Sequence, residues 1–369
     1  MSAPTAPHRT APRIDEELIR TLPKAEVHVH LEGGIALADL LKLAKDNGEH
    51  LPGPAATLFD VSTHDEFAMP DLTTGGGAGV GTGGLSGFLR FLDWQCGLVR
   101  TAEQAARVAY AFAARQSVSG VLYTDVIVNP THWHAWLGRE MALMDAITAG
   151  FDEAEQDGLC SVGIAWSLLR SQTSTDARQV VESLVDARPS RVIALSVDGD
   201  EKVAGRTGTK FEEAFRLAKA AGLRRTVHAG ESSGPEGVWD ALDLLQAERI
   251  DHGVRAVEDP LLVERLVADG IPLGICPRSN LTLGVYSGWD THPIRALMDA
   301  GVKVTLNTDD PEPMGTTLVH DWTAAAREYG WGLDDMAGFA ARSIDASFAT
   351  EDLKAQMRSR LAATVEGLR

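Results

Sequence analysis

Eight short runs rich in β-branched residues recur along this chain, each ending in polar or glycine residues, and this repetition constrains the fold more than any other feature. The runs lie near residues 26–31, 120–128, 160–169, 191–199, 224–231, 249–253, 271–277 and 303–310. In the second half of the chain their ends are about 22 to 33 residues apart, the size of a strand–helix unit in a parallel sheet. Eight such units predict an α/β fold, a closed (β/α)₈ TIM barrel, with an open doubly wound sheet as the alternative.

Between the runs lie residues that commonly begin or end helices. The start signals are Thr101 with Gln104, Thr209, Asp259 with Pro260, and Pro293, and Gly222 is a stop signal.

One interval does not fit a simple barrel. Residues 32–119 are too many for one crossover, and they contain the glycine run GGGAGVGTGG followed by the amphipathic segment FLRFLDW. We expect an insertion after the first strand, at about residues 47–100, that forms a mobile loop and a helix over the site as a lid or gate. Residues 1–13, with three prolines and no apolar run, predict a disordered tail, which leaves residues 14–369 as one barrel domain.

Charge and cysteine content narrow the function classes. The chain has 34 Lys and Arg against 52 Asp and Glu, a net charge of −18, and it has no basic cluster for a nucleic acid or an anionic membrane. The three cysteines, Cys96, Cys160 and Cys276, are far apart and lack CxxC spacing, which is typical of reduced thiols. With no apolar signal segment either, we expect a cytoplasmic protein that acts on a small molecule.

Two histidine pairs have the spacing HxH. Residues two apart in a strand share a face, so His28 and His30 in VHVHL can bind one metal ion. His132 and His134 instead follow Pro130 in a predicted loop, and we interpret them as structural or lid residues.

Several residues that could carry chemistry share one location, the carboxyl ends of predicted strands. They are His28, His30, His228, Glu231, His252, Asp309 and Asp310. In a barrel these ends meet at one mouth, where the active sites of this fold lie. Three imidazoles and a carboxylate suit Zn²⁺ with open positions for water and substrate, and the alternative is a set of buried polar residues with structural hydrogen bonds.

Five motifs in order, LPKAEVHVHLEGG, VHAGE, RIDHG, CPRSN and LNTDDP, resemble the motif set of the adenosine deaminase family over about residues 21 to 345. The resemblance implies zinc-dependent hydrolysis of the 6-amino group of an adenine compound, with one zinc per chain. The implied ligands are His28, His30, His228 and Asp309. By the same resemblance Glu231 shuttles the proton, His252 orients the water, Asp310 contacts purine N7, and the Gly199 backbone meets N3.

Elementary chemistry supports these roles. An aromatic carbon that bears an amino group is a poor electrophile, so an acid must protonate N1, and Glu231 needs a pKa raised by burial to hold that proton. Gly230 lets the chain turn so that Glu231 faces the mouth beside His228. Asp309 and Asp310 can both serve the site only if their strand has ended, which Pro311 favours.

Other residues of interest are more ambiguous. Phe88 and Phe91 form either an apolar gate against a purine or ordinary helix core. Cys276 is better interpreted as a small packing residue than as a nucleophile.

The substrate is the main open question. Glu32 in HLEG stands where nucleoside deaminases commonly carry Asp, and HLEG and RIDHG are similar to the free-adenine branch. SVDGDE and LTLGVYSGWDTHP are more similar to the nucleoside branch, and we favour adenosine or a related nucleoside. The alternatives are free adenine, a 5′-modified adenosine such as aminodeoxyfutalosine, a binuclear metal hydrolase, and an inactive purine-binding scaffold. Glu32 then either accepts a hydrogen bond from a sugar hydroxyl or fills the volume of a ribose.

Overall fold

A computed structural model of the protein describes residues 14–66 and 85–369. It contains one sheet of eight parallel strands in the order of the sequence, as the barrel prediction requires. The strands are β1 (Lys24–His30), β2 (Val121–Val128), β3 (Ser161–Leu169), β4 (Val192–Asp198), β5 (Arg224–Ala229), β6 (Arg249–His252), β7 (Leu273–Ile275) and β8 (Val304–Leu306).

The first and last strands meet through a seam in which a side chain supplements the main chain. The His30 N–H donates to the Asp309 carbonyl at 2.8 Å, and the Asp309 N–H donates to the His28 carbonyl at 3.2 Å. Lower in the barrel the Asn307 amide oxygen accepts from the N–H groups of Val27 and His28, at 3.0 and 3.2 Å. These bonds bring β8 against β1, so the predicted (β/α)₈ TIM barrel is confirmed.

Helices connect the strands and pack outside the barrel. In the described part of the chain they are α1 (Glu16–Thr21), α2 (Leu37–Asn47), α3 (Leu85–Gly97), α4 (Ala102–Val118), α5 (Glu140–Gln156), α6 (Ser174–Ala187), α7 (Glu201–Ala204), α8 (Gly208–Ala220), α9 (Glu236–Asp243), α10 (Pro260–Asp269), α11 (Pro277–Thr282), α12 (Ile294–Asp299), α13 (Leu318–Tyr329), α14 (Leu333–Ala346) and α15 (Glu351–Leu368). No helix within residues 14–66 and 85–369 is long and apolar enough to cross a membrane.

Most predicted helix signals act as expected. Thr101 and Gln104 form a reciprocal capping box before α4, and the Asp259 carboxylate accepts from two main-chain N–H groups at the start of α10. The prediction that Thr209 begins a helix was wrong, because α8 already begins at Gly208 after Thr207. Thr209 therefore lies within the first turn, and the Thr207 side chain makes no capping hydrogen bond.

The last two strands are shorter than their sequence runs. β7 stops at Ile275 because Pro277, which cannot donate a ladder hydrogen bond, begins α11. β8 stops at Leu306, and three residues later Asp309 has a φ of +67°, outside the extended region. The chain has thus left the strand where the paired aspartates occur.

The long β1–β2 connection carries α2, α3 and α4, with α3 near the carboxyl ends of the strands. The helix expected from FLRFLDW is therefore present as α3. The glycine run and residues 1–13 lie outside the described residues, so the predicted mobile loop and N-terminal tail stay predictions.

All seven residues of β1 are buried, as expected of a strand enclosed between side chains of the barrel interior and covering helices.

Candidate active site

Four side chains place their ligand atoms around one point at the carboxyl ends of the strands. The Nε2 atom of His228 lies 3.1 Å from Nε2 of His28 and 3.0 Å from Nε2 of His30. The Asp309 Oδ1 atom lies 3.3 Å and 3.4 Å from the same two histidine atoms. Tetrahedral ligands about 2.0–2.1 Å from a zinc ion would have separations of this order.

The donor set fits a metal ion on its own chemistry. The His28 Nδ1–H donates to the Gly274 carbonyl at 2.7 Å, which leaves its Nε2 lone pair directed toward the other ligands. Three imidazole nitrogens that face one another have poor hydrogen-bond options without a shared cation. Burial opposes a charge on His28, yet Asp251 and Asp309 raise the pKa of His28 to about 9. These two carboxylates therefore favour positive charge at this point of the structure.

His252 stands beside this cluster in a strained conformation. Its φ is +67°, and its Nε2 atom lies 3.7 Å from Oδ2 of Asp309 and 3.5 Å from Oε1 of Glu231. Burial and the charge of His28 lower the pKa of His252 to about 3. The ring is therefore neutral at physiological pH and offers one donor and one acceptor.

Glu231 is the predicted acid, and its surroundings favour the protonated form. It follows Gly230, which has a φ of +64° and turns the chain out of β5. Burial, reinforced by the negative charges of Asp309 and Glu201, raises the pKa of Glu231 to about 8. A carboxyl group at this position can carry a proton at neutral pH.

Asp310 has a different environment from its neighbour. Burial and the charges of Asp309 and Glu32 hold the pKa of Asp310 well above its usual range, and its buried Oδ1 atom has no hydrogen-bond partner. Gly33 packs so closely against it that a Cβ atom there would lie 2.1 Å from that oxygen. The glycine in HLEGG thus allows β1 and the Asp310 turn to approach each other.

Most of these residues line one cavity at the carboxyl ends of the strands. Its lining combines the predicted metal, acid and purine-contact residues with an apolar cover. The lining residues are His30, Glu32, Leu85, Phe88, Leu89, Leu92, His132, Asp198, Gly199, His228, Glu231, His252, Leu283, Asp309 and Asp310.

Phe88 and Phe91 of α3 have different surroundings in the structure. Phe88 lines the cavity, whereas Phe91 is absent from the lining. Phe91 packs against the rings of His64, Phe59 and Trp94. The expectation that Phe91 contacts the substrate is therefore wrong for this conformation, because the cavity-facing stripe of α3 runs through Leu85, Phe88, Leu89 and Leu92.

Glu32 is buried with one oxygen bonded and the other free of partners. Its Oε1 atom accepts from the Asn129 N–H at 2.8 Å and the Trp133 indole N–H at 2.7 Å. Its Oε2 atom is buried with no hydrogen-bond partner, and burial raises the pKa of this carboxyl. Glu32 lines the cavity, so this oxygen is a candidate for a substrate contact.

The second HxH pair joins the long connection to the loop after β2. The Asp93 carboxylate on α3 lies 2.6 Å from Nδ1 of His132 and 3.4 Å from Nε2 of His134. Burial opposes both charges, yet the pair raises the pKa of His132 to about 9 and lowers that of Asp93 to about 2. This placement agrees with a structural or lid role and brings neither histidine to the metal ligands.

Cys276 is a buried free thiol whose Sγ atom lies 3.3 Å from Nδ1 of His28. It belongs to a second possible ligand group with His28, His252 and Asp309. Burial raises the pKa of the Cys276 thiol well above its usual range, which opposes thiolate ligation. The packing interpretation fits this environment better than a nucleophile.

The sequence did not identify Asp198 as a site residue, and it did not predict that His132 lines the cavity. Asp198 ends β4, so the strand-end argument applied to the other candidates could have found it. It accepts from the Asn129 amide at 2.5 Å, and its Oδ2 lies 3.9 Å from Nδ1 of His30. No comparable signal exists for Leu283, which reaches the cavity from the end of α11.

Comparison with known proteins agrees with this geometry. A family model described as adenosine deaminase matches residues 23–364. An adenine deaminase of Rhodospirillum rubrum is 33% identical over 351 residues, which cover 95% of this chain and 99% of the relative. An adenine deaminase of Bordetella bronchiseptica is 34% identical over 334 residues, which cover 90% and 98%.

Two solved structures have similar folds. The adenine deaminase of Arthrobacter aurescens superposes with a TM-score of 0.83 at 28% identity, covering 94% of this chain and 99% of the other. An amidohydrolase of Burkhoderia ambifaria with bound Zn also gives 0.83, at 26% identity, covering 98% and 95%. The chain therefore belongs to the adenosine deaminase family and is a metal-dependent aminohydrolase.

Proposed function

We propose that this protein hydrolyses the 6-amino group of free adenine with one zinc ion per chain and releases ammonia. One observation carries the proposal: Glu231, a largely enclosed carboxyl group with a raised pKa, lines the same cavity as His30, His228 and Asp309 of the candidate ligand set that also includes His28. An acid beside a metal site is what attack by water on a weakly electrophilic ring carbon requires.

The metal ligands are proposed from the four converging atoms of His28, His30, His228 and Asp309. When bound, zinc supplies the Lewis acidity that makes water acidic near neutral pH. Neutral His252 orients the attacking water through a hydrogen bond, since its Nε2 lies on the side of Asp309 and Glu231.

Glu231 gives its proton to purine N1. The transfer draws electron density from the ring carbon that bears the amino group, so that water can add there. The carboxylate left on Glu231 takes up the proton that water loses on adding to the ring and passes it to the amino nitrogen. Ammonia then leaves, the added hydroxyl becomes the carbonyl of the product, and the hydroxyl proton returns to Glu231. The raised pKa of Glu231 makes the acid available at neutral pH.

Three cavity groups are proposed to recognise the purine. Asp310, whose raised pKa favours the protonated form, lines the cavity and donates a hydrogen bond to N7, which is an acceptor. The Gly199 backbone meets N3, at a position whose φ of +99° favours glycine. Phe88 on α3 covers the ring plane, and α3 acts as the lid.

The choice between the base and the nucleoside reverses our initial preference. Three of the four proteins compared above are adenine deaminases, and they favour the free base, the alternative suggested by HLEG and RIDHG. The cavity cover supports the same choice, because Leu85, Phe88, Leu89, Leu92 and Leu283 offer no polar group to a ribose. Glu32 is then proposed to fill the volume where a sugar would sit.

An ammonia-release assay on metal-replete protein tests the substrate. Its panel is adenine, adenosine, 2′-deoxyadenosine and a larger 5′-modified adenosine. We expect the highest kcat/KM on adenine, by about 10-fold or more, the scale of a pocket that excludes extra atoms. Preference for any nucleoside would overturn the free-base assignment, and no ammonia from any of the four would leave only a purine-binding role.

A further inference from the structure

Beneath the strand ends that carry the candidate catalytic residues lies a buried ion pair that sequence analysis did not single out. Arg170 follows β3 and Glu201 is the first residue of α7, just after β4. Both side chains are buried, and the Arg170 Nη2 atom lies 3.9 Å from Oε1 of Glu201. Buried charges need specific partners, so the remaining contacts of the pair show what it does.

Glu201 bonds to the main chain of the loop that carries Glu231. Its Oε1 atom accepts from the Gly230 N–H at 3.0 Å. Its Oε2 atom accepts from the N–H groups of Glu231 and Ser233, at 3.0 and 3.3 Å. Both carboxylate oxygens are thus bonded to the segment between β5 and α9.

The other side of the carboxylate is closely packed. A Cβ atom on Gly237 of α9 would lie 2.5 Å from the Glu201 Oε1 atom, so the helix approaches the carboxylate where residue 237 has no side chain. Glu201 faces a second, separate cavity and is absent from the lining of the substrate cavity. It therefore does not touch the substrate, and it acts on the site through the main chain that it binds and through its charge, which helps to raise the pKa of Glu231.

Arg170 extends the same arrangement to two neighbouring strands. Its guanidinium donates to the Gly199 carbonyl at 3.1 Å, to the Thr207 hydroxyl at 3.2 Å and to the His228 carbonyl. The pair thus joins the end of β3 to the chain after β4 and β5. The main chain after β4 and the main chain at the end of β5 and in the loop that follows are therefore both bonded to charged side chains. Hydrogen bonds to charged groups are about twice as strong as those between neutral groups.

We propose that Glu201 is a positioning residue that fixes the backbone of Glu231 so that its carboxyl group meets purine N1. This inference rests on the acid role proposed for Glu231. Proton transfer requires placement to within a fraction of an ångström, and three main-chain bonds to one rigid carboxylate provide it. A glutamine at position 201 cannot replace the glutamate. Its NH₂ group is a donor and would face a main-chain N–H, which is also a donor.

A double-mutant cycle tests the proposal, with Glu201→Gln, Glu231→Gln and the double variant assayed on adenine. In the Glu201→Gln protein we expect kcat to fall about 10-fold or more, with KM within about threefold of wild type and unchanged metal content. The double variant should have the kcat of Glu231→Gln alone, because a misplaced side chain that lacks the proton loses nothing further.

Asp240→Asn is the matched control. Asp240 is a buried carboxylate on the wall of the same second cavity, but its bonds go to Arg206 and not to the loop of residues 230–233. The control should keep the kcat of wild type.

Two results overturn the proposal. The first is a wild-type kcat in Glu201→Gln. The second is a double variant in which the two single-variant losses of kcat multiply, which would show that Glu201 acts independently of Glu231. Wild-type kcat in Glu231→Gln is a separate result and would refute the acid role itself. Glu201→Asp is assayed in the same cycle with the same criteria, so that a loss of kcat in both variants comes from the broken main-chain bonds and not from a changed charge beside Glu231, and it replaces Glu201→Gln if that variant does not fold. Its shorter side chain withdraws the carboxylate from the loop while keeping the charge.

Discussion

Two residues of the site, His252 and Asp309, have left-handed backbone conformations although neither is glycine, each with a φ of +67°. Such conformations cost free energy and tend to occur where function requires them. At Asp309 the turn lets one aspartate meet the histidine ligands while the next, Asp310, faces the cavity. The sequence predicted that the strand must end there, but not that the backbone would be strained.

The pKa of Glu231 gives a prediction at the scale of one residue. The group must be protonated to act, and burial raises its pKa from the ordinary value to about 8. The acid is therefore present at neutral pH and lost as pH rises through about 8, so kcat should fall on that alkaline side. Glu231→Gln should lower kcat by roughly 10²-fold or more and abolish this limb. An alkaline limb that persists in the variant would assign it to another group.

Glu32 gives a second prediction. Glu32→Asp keeps the acid and removes one methylene from the cavity wall, which frees volume on the proposed sugar side. We expect kcat/KM for adenosine relative to adenine to rise by about 10-fold or more, the usual effect of one methylene in a closed pocket. An unchanged ratio would contradict the volume-filling role.

Sequence reasoning grouped the four proposed metal ligands because they lie at or near the carboxyl ends of strands, which a parallel barrel brings together whatever the separation along the chain. It could not find Glu201, whose partners are main-chain N–H groups of another loop. Such bonds need no particular residue type in the loop, so they leave no motif. Phe91 was misplaced because helical spacing alone does not say which side of α3 faces the cavity.

Among the elements, α3 is joined to the barrel by charged and polar contacts near the mouth as well as by the buried apolar side chains of Phe91 and Trp94. Asp93 binds His132 and His134, and the Gln95 amide donates to the Glu32 carbonyl at 2.5 Å. The apolar residues of α3 cover the cavity between these contacts. The helix was predicted from its amphipathic pattern, whereas its polar contacts, which join residues far apart in sequence, were not.

Asp93→Asn should therefore loosen α3. The pKa of His132 is raised to about 9 from 6.5, so its charge stabilises docking fully below pH 6.5 and stops doing so as pH rises through about 9. At pH 7 we expect faster amide hydrogen exchange in residues 85–97 of the variant, and in wild type the same increase above pH 9.

Asp39→Asn is the control, since Asp39 on α2 lies 3.8 Å from Arg115 and does not contact α3 residue Asp93 or its histidines. Equal exchange rates in Asp93→Asn and wild type at pH 7 would show that apolar packing alone holds the helix.

At the scale of the whole molecule, barrel closure depends on Asn307 as well as on the strand ladder. Asn307→Ala would leave the N–H groups of Val27 and His28 without their acceptor inside the barrel. We expect the free energy of unfolding to fall by about 1–3 kcal/mol, measured by urea denaturation. As a control, Thr364→Ala removes a half-buried hydroxyl that donates to the Arg360 carbonyl of its own helix, and it should change the free energy of unfolding by less than about 0.5 kcal/mol. Similar values for both variants would show that the seam does not need this side chain.

The barrel and its mouth could be predicted because alternation of strands and helices is a property of the whole sequence. Substrate choice could not, since it depends on how α3, Leu283 and Glu32 close the cavity. Those three come from separate connections, and their distances are set by tertiary packing. Hence the sequence favoured the nucleoside, while the relatives and the apolar cover favour the base.

Titration of metal-free protein with Zn²⁺, with ammonia release from adenine as the readout, tests the central claim most directly. The account predicts no activity without metal, a linear rise on addition of zinc, and a break at one equivalent per chain, because His28, His30, His228 and Asp309 form one ligand set. Full activity in the metal-free protein, or a break at two equivalents, would contradict it.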